Sequence, residues 1–251
     1  MTIDNRGRAA VAGLATLTAL LALLAIGGAG CGGGTSMSMP PINDADAGPP
    51  TITTGPYQPL TIGSTWTYHV EDQGVVYDKQ SSVEAFEDMM GMAPGVMGYK
   101  VRETIKSTIQ MTWYEQTQTD VRRHHDVMTD DQNRMLSDEW YTPYLLRVDE
   151  SPEHLQAGAA WSINYTHTKV TSSKPMTETN KTENWTVDGV DVVTKVTAGT
   201  FQALKIIRAD PTDGSTKTQW FVRGVGKVRE LTSAGHYEDL TNFNVVPAPA
   251  Q

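Results

Sequence analysis

The sequence predicts a mainly β fold in which antiparallel sheets form a sandwich or a partly open barrel of about ten strands, with at most one short helix. Apolar and polar residues alternate along several stretches, for example in residues 65–70, TWTYHV. A period of two is typical of a half-buried strand. Thr, Val, Tyr and Trp, which suit a pleated surface, are frequent in these stretches. Turn signals separate them, including Asp188-Gly189 and Asp213-Gly214.

We expect residues 57–246 to form one β-rich domain, in which residues 105–113 and 161–165 also alternate. One segment breaks the pattern. In residues 82–91, SVEAFEDMMG, Val83 and Phe86 stand at helical spacing behind a serine that can cap a helix. This segment therefore predicts a short helix or lid.

The N-terminal stretch of residues 11–31, VAGLATLTALLALLAIGGAGC, follows two arginines and ends in small residues directly before the only cysteine of the chain. A basic start, an apolar run and a small-residue exit are typical of a secretory signal peptide. We therefore expect residues 1–30 to be removed by cleavage between Gly30 and Cys31. An uncleaved membrane anchor is disfavoured because the run is short and ends in glycines.

The end of this stretch resembles the lipobox of bacterial lipoproteins, in which a cysteine directly follows small residues. The resemblance implies that the sulfur of Cys31 receives diacylglycerol and that its new amine is acylated, so the membrane partner is reached through N-terminal acyl chains. The family usually has Leu three residues before the cysteine, where this chain has Gly28. Gly32 and Gly33 stand where many inner-membrane lipoproteins have Asp, which implies an address at the outer membrane of the cell envelope.

Removal of residues 1–30 leaves 18 Lys and Arg against 28 Asp and Glu, a formal charge of −10. Such a chain is repelled by nucleic acid, so no nucleic-acid partner is expected.

Residues 31–56 comprise the lipidated cysteine and a stretch rich in Gly, Pro and small polar residues, which predicts a flexible linker. Residues 247–251 are expected to form a disordered tail. With Cys31 committed to lipid, no thiol remains for a disulfide or a sulfur-ligated metal.

Two parts of the domain, at about 57–128 and 152–240, share spaced patterns in the same order. The pattern LxxGxxW occurs at residues 60–66 and 155–161, and a Trp-aromatic pair precedes a Val-Arg pair at residues 113–122 and 220–229. An internal repeat of this kind predicts two related β-meanders that pack around one core.

Three motifs, PLxxGxxWTY at residues 59–68, AGTFxxLK at residues 198–205 and GVGKV at residues 224–228, resemble a set of uncharacterised bacterial envelope lipoproteins. In that family proline commonly stands where this chain has Thr197. More distantly, the arrangement is similar to the incomplete barrels of lipoprotein carriers, which hold acyl chains in an apolar cavity. That similarity concerns the fold and says little about activity.

Five apolar residues are the candidates for contact with a ligand. Trp66, Trp161 and Trp220 are expected chiefly to fill the core, with a ligand-facing role as the alternative. Phe86 and Met90 lie in a methionine-rich segment. Such a segment predicts an adaptable flap that covers an apolar cavity, in preference to a Cu(I) site.

Signals for metal binding and catalysis are weak. His124 and His125 point to opposite faces of a strand, so only His124 and Asp126 share a face and they make half a site. The sequence contains no nucleophile elbow, metalloprotease helix, phosphate loop or calcium loop. We expect no metal, no cofactor and no enzymatic activity.

The sequence thus favours a lipid-anchored envelope protein whose β-rich domain binds an apolar ligand or an envelope protein partner. One alternative is a carrier that holds a lipid or acyl chain in a partly open barrel. Another is an envelope hydrolase, for which no nucleophile can be named. An apolar cavity beneath residues 82–97 would favour the carrier, whereas an exposed apolar strand edge would favour partner binding.

Overall fold

The computed structural model describes residues 54–89 and 93–248, which form twelve antiparallel strands. In chain order these are β1 Thr65–Asp72, β2 Val75–Asp88, β3 Met97–Ile105, β4 Thr108–Gln116, β5 Asp120–Asp130, β6 Met135–Asp149, β7 Ala160–Thr171, β8 Lys174–Val196, β9 Gly199–Ala209, β10 Thr216–Val222, β11 Gly226–Thr232 and β12 Tyr237–Asn244. Each strand pairs with its neighbours in sequence, and β1 pairs with β12, so the sheet closes into a barrel.

The prediction of a mainly antiparallel β fold is confirmed. The strands number twelve rather than about ten, and the barrel is closed because Thr65 lies opposite Asn244 and Glu71 opposite Tyr237. The described residues contain one turn of 3-10 helix, Pro152–His154. No helix among them has the length and apolar character needed to cross a membrane.

The predicted helix over residues 82–91 is wrong for residues 82–88, which belong to β2. Val83 pairs with Val101 and Phe86 pairs with Tyr99, and the register shifts between them because Glu84 is an extra residue in β2. A β-bulge of this kind places two residues three positions apart on the same face of a strand. The bulge therefore produced the spacing that suggested a helix.

The two ends of the barrel carry different parts of the chain. We call the end at which β1 begins and β12 stops the N/C end, and the opposite end the far end. The N/C end carries the β10–β11 hairpin, and the far end carries the β9–β10 and β11–β12 hairpins.

Apolar side chains make up most of the enclosed interior. The largest fully buried ones include Trp185, Phe221, Leu204, Ile206 and Leu240. The outer faces carry many polar side chains; on β7 and β8, for example, Ser162 donates a hydrogen bond of 2.7 Å to the exposed side chain of Asn184. The alternation in the sequence thus separates an apolar inside from a polar outside.

Some positions six strands apart have similar surroundings. Trp66 and Trp161 are each the second residue of their strand, in β1 and β7. Trp113 in β4 and Trp220 in β10 each have a lysine ammonium over the ring, 5.5 and 5.4 Å from the centroid. This is the placement that two related halves would give, and the internal repeat stays a prediction.

Candidate functional site

A large cavity of about 1190 Å³ opens at the N/C end of the barrel. Its wall is formed by the segment before β1, the ends of β2, β4 and β12, the starts of β3 and β9, and the β10–β11 hairpin. Apolar side chains are prominent in it, among them Leu60, Ile62, Phe86, Tyr99, Phe201 and Phe243. A concave and mostly apolar space is the usual form of a small-molecule site.

Two pairs of aromatic rings stand on this wall. The ring centroids of Phe86 and Tyr99 are 4.8 Å apart, and those of Phe201 and Phe243 are 6.1 Å apart. Phe86 remains 49% exposed and Ile62 51% exposed. An apolar ligand would remove this surface from water, and full burial of one such side chain contributes roughly 1.5–3 kcal/mol. The wall is therefore suited to an apolar ligand.

The segment that leads into β1 is fixed against the β10–β11 hairpin. The backbone N–H of Gly224 donates to the carbonyl oxygen of Pro56 at 2.8 Å, and Arg223 donates to that of Gly55 at 3.2 Å. Gly224 has a φ of +66°, and a Cβ there would run into the carbonyl oxygen of Thr54. Only glycine allows the two backbones to meet here without strain, and the segment so held forms one wall of the cavity.

Trp66 belongs to the packed core next to the cavity. Its side chain is 3% exposed, and its indole N–H donates to the carbonyl oxygen of Val225 at 2.6 Å. Gly226 lies against the indole and has a φ of +106°, a backbone conformation that favours glycine. Since Val225 lines the cavity, Trp66 positions the hairpin that closes this side.

Of the five residues predicted to contact a ligand, Phe86 lies in the cavity wall. Trp66 lies in the core, and Trp161 is half-buried and stacks on other rings. Trp220 points to the outer face of the barrel, because the residues on either side of it are fully buried. Met90 lies outside the described residues.

Three aromatic residues of the wall were not among the predicted ligand contacts. Phe201 lies in the AGTFxxLK motif, which marked only a family resemblance, and Tyr99 and Phe243 belong to strands at distant positions in the sequence. They meet because the closed barrel brings β3, β9 and β12 to one end. Strand alternation assigns a residue to a face but does not reveal which faces converge.

A smaller cavity, of about 400 Å³, lies beside Met89, Trp113 and His125. The imidazole of His125 stacks on Trp113 and on Trp140, with centroids 4.8 and 5.3 Å apart. Its Nε2 lies 2.6 Å from a carboxylate oxygen of Asp138. Each group of this stack thus already has a partner within the protein.

His124 and Asp126, the half site considered from the sequence, have different partners. The Nε2 atom of His124 lies 3.1 Å from Glu115, whereas Asp126 accepts hydrogen bonds from Arg123 and Tyr141. The structure does not join the two side chains in one set of ligands.

Four of the buried charged side chains contact one another, and we call them the charged cluster: Lys79, Lys227, Glu230 and Glu238. Lys79 donates to both carboxylate oxygens of Glu238, at 2.6 and 2.8 Å. Lys227 donates to Glu230 at 2.8 Å and to Glu238 at 2.6 Å. A cation therefore links the two carboxylates, and the cluster is fully paired.

The pKa values of the cluster follow from these contacts. Burial alone would raise the pKa of Glu230 and of Glu238, but the neighbouring ammonium groups, Lys227 first, outweigh it and hold both pKa values well below their usual range. Burial alone would lower the pKa of Lys79, and the surrounding carboxylates raise it instead. Both carboxylates and the Lys79 amine are therefore charged at neutral pH.

One group among the described residues has the spacing that a metal ion needs. Single ligand atoms of Glu230, His236 and Glu238 lie within 4.8 Å of one another. Both carboxylates already bind lysine ammonium groups of the charged cluster. A metal ion would have to displace those ammonium groups, so the donor set fits ion pairing better than metal binding.

A polar chamber of about 450 Å³ opens toward the far end, between the interior faces of β5 to β8 and the β9–β10 and β11–β12 hairpins. Within it Arg208 forms a bidentate pair with Glu183, with nitrogen–oxygen distances of 2.6 to 3.1 Å. Lys181 donates to Asp210 at 2.7 Å. This hydrogen bond, together with the backbone N–H of Thr212, lowers the pKa of Asp210 to about 2.

The fold defines a class: a closed antiparallel barrel with a cavity open at one end, which is compatible with a binding or carrier module. No family model, no curated protein and no solved structure matches this chain. Its function is therefore inferred from the geometry of the barrel itself.

Proposed function

We propose that this protein is a lipid-anchored protein of the cell envelope whose barrel carries an apolar ligand, such as a lipid or an acyl chain, at the N/C end. The observation that supports this proposal is the cavity of about 1190 Å³ with its largely apolar wall. Typical ligand cavities measure about 300–1,000 Å³, so there is room for a long apolar group. Phe86, from the segment expected to cover such a cavity, stands in its wall.

The alternative of a partner-binding scaffold is less well supported. That interpretation would be favoured by an exposed apolar strand edge, and each of the twelve described strands is paired on both sides. Because the barrel is closed, no described strand is a free edge over its whole length, although β7 pairs with β6 only over Thr166–Thr171. The carrier is therefore the function that the geometry supports best.

The position of the cavity agrees with attachment through the N-terminus. Thr54, Gly55 and Pro56, by which the chain enters the barrel, line the cavity. A linker over residues 31–56 that begins at an acylated Cys31 would thus attach to the end of the barrel that carries the cavity. This geometry supports the transfer of an apolar ligand between the membrane and the barrel.

The cavity can be tested with a neutral fluorescent apolar probe, N-phenyl-1-naphthylamine. We expect the protein to bind it, and we expect Phe86→Asp to weaken binding at least tenfold, because a carboxylate replaces apolar wall and must lose water when the probe enters. Fluorescence titration gives the affinity. Native mass spectrometry of protein purified from its host should also show a bound lipid.

Val76→Asp is the matched control for this variant. Val76 lies on the same strand, is 59% exposed and stands near the far end, outside the cavity. We expect it to bind the probe like the unmodified protein. An unmodified protein that neither takes up the probe nor carries a lipid would eliminate the carrier function.

The anchor is tested separately with Cys31→Ser. We expect the wild-type protein to incorporate radiolabelled palmitate and to sediment with outer membranes. We expect the variant to do neither, because serine cannot form the thioether. Two or more acyl chains anchor a protein stably, whereas a protein without acyl chains has no such attachment to the membrane. Mature protein that retains residues 1–30, or a free thiol at Cys31, would contradict this part of the proposal.

A further inference from the structure

One cation of the polar chamber at the far end makes no direct ion pair, and it acts at longer range on Glu230, whose pKa it helps to lower. Arg147 lines the chamber, and no carboxylate among the described residues forms an ion pair with it. Its Nε atom is buried without a hydrogen-bond acceptor. A guanidinium group is always charged, and leaving such a group partly desolvated and unpaired costs free energy.

The guanidinium group of Arg147 is held in place by packing. Its central carbon lies 5.3 Å from the centroid of the Phe221 ring, which is fully buried. A cation over an aromatic face is attracted to the ring, and the planar guanidinium group carries N–H groups in a fork that can bind two oxygens of one anion. The Phe221 ring thus supports Arg147 from one side.

The remaining cations of the chamber are already neutralised. Arg208 is paired with Glu183, and Lys181 with Asp210. The other two also contact carboxylates: Arg123 contacts Asp126, and Lys217 contacts Glu230. Five cations and three acidic residues line the chamber, and Asp126 and Glu230 neutralise two of those cations from outside its lining, so the formal charges balance and Arg147 is the lining cation that makes no direct ion pair.

We propose that the chamber is a second binding site, at which Arg147 binds the oxyanion of a small phosphorylated or carboxylated molecule. The volume of about 450 Å³ accommodates more than the anionic group alone. Hydroxyl groups from the hairpins at the rim, those of Ser215, Thr216 and Ser233, are placed to bind a polar remainder of the ligand. The site lies at the opposite end from the apolar cavity and is independent of it.

Inorganic phosphate and succinate are the two probes, because they separate the phosphate from the carboxylate form of the ligand. Calorimetric titrations of the full-length protein at constant ionic strength should show one equivalent of at least one probe bound. Arg147→Met should weaken that binding at least tenfold, which corresponds to about 1.4 kcal/mol. Arg147→Lys keeps the charge but lacks the planar fork, and we expect an intermediate affinity.

Arg134→Met is the matched control, because it removes the same charge from an exposed side chain that pairs with Asp130 outside the chamber. It should bind the probe like the unmodified protein. The Nε–H resonance of Arg147 is assigned as the one that is absent from the NMR spectra of Arg147→Met and Arg147→Lys. In the spectrum of the protein without these substitutions, this resonance should shift on addition of the probe. Uptake of the naphthylamine probe should be unchanged in all these variants, which keeps the two sites distinguishable.

Three results would overturn the anion site. The first is that the unmodified protein binds neither phosphate nor succinate. The second is that Arg147→Met binds them as tightly as Arg134→Met does. The third is that binding leaves the Arg147 resonance in place. Should Arg147→Met fail to fold, the comparison of Arg147→Lys with the unmodified protein decides the matter by the same criteria.

Discussion

Glu238→Gln is expected to lower the free energy of unfolding at pH 7 by about 3–5 kcal/mol, because removal of one partner from a buried ion pair leaves an uncompensated charge. Glu238 is 4% exposed and accepts hydrogen bonds from both Lys79 and Lys227. The amide would leave three enclosed charges with two lysines against one carboxylate in the charged cluster. Urea unfolding followed by circular dichroism measures the change.

The effect should depend on pH. Since the pKa of Glu238 is lower in the folded protein than in the unfolded chain, its carboxylate stabilises the fold above the unfolded pKa, about 4.3. This contribution is lost as the pH falls through the folded pKa. The difference between the variant and the unmodified protein should therefore shrink below about pH 4.

Glu84→Gln is the control for the charge alone. Glu84 and Arg102 approach to 3.9 Å with both side chains more than a third exposed, and such surface pairs contribute about 0–1 kcal/mol. We expect Glu84→Gln to unfold almost like the unmodified protein. Equal unfolding midpoints for the Glu238 and Glu84 variants would show that enclosure of the charged cluster has no energetic consequence.

Trp185→Ala is expected to lower the free energy of unfolding by about 3–5 kcal/mol, through the lost apolar burial and the cavity left behind. Trp185 is fully buried, and its ring lies between Trp161, at a centroid distance of 5.7 Å, and the guanidinium group of Arg208, at 4.6 Å. Its indole N–H also donates to Glu183 at 3.2 Å. Thermal and urea unfolding should both report the loss.

Trp220→Ala provides the matched control on the outer face. Its half-buried ring packs partly against the core and is flanked by the ammonium group of Lys205 at 5.4 Å and the guanidinium group of Arg229 at 5.9 Å. Cation–π contacts contribute about 0.5–1 kcal/mol at exposed sites and about 2 kcal/mol where they are desolvated, so we expect a loss of about 2 kcal/mol, smaller than that for Trp185→Ala. A loss for Trp220→Ala as large as that for Trp185→Ala would contradict the assignment of the two residues to opposite faces.

The fold class could be predicted because alternation is a local property of the chain. Trp66, Tyr68 and Val70 are all inward and buried, as their period of two indicates. Closure and strand number could not be predicted, because they depend on pairing between β1 and β12, at opposite ends of the sequence. The helix predicted around Val83 was wrong for a related reason. A bulge changes the local period of inward-facing residues and has no sequence signal of its own.

The candidate sites were less accessible from the sequence than the fold. Phe86 was predicted as a ligand contact and lies in the cavity wall, but the rings that accompany it come from distant strands. Trp220 was predicted as a ligand contact because it is a large aromatic residue. Whether its side chain points into or out of the barrel depends on the register of β10, and a shift of one residue reverses that direction. Nothing in the sequence distinguishes Arg147 from the paired arginines, because an unpaired charge is a property of the folded interior.

The seam between the first and the last strand has a consequence for biogenesis. The ring cannot be completed until the chain has been synthesised through β12, which ends at Asn244. Until then the nascent sheet has two open edges whose N–H and C=O groups can pair with another copy. Contacts between residues so far apart in sequence also form slowly. The edges of β1 and of the most recently added strand therefore stay open to such pairing until β12 has been added.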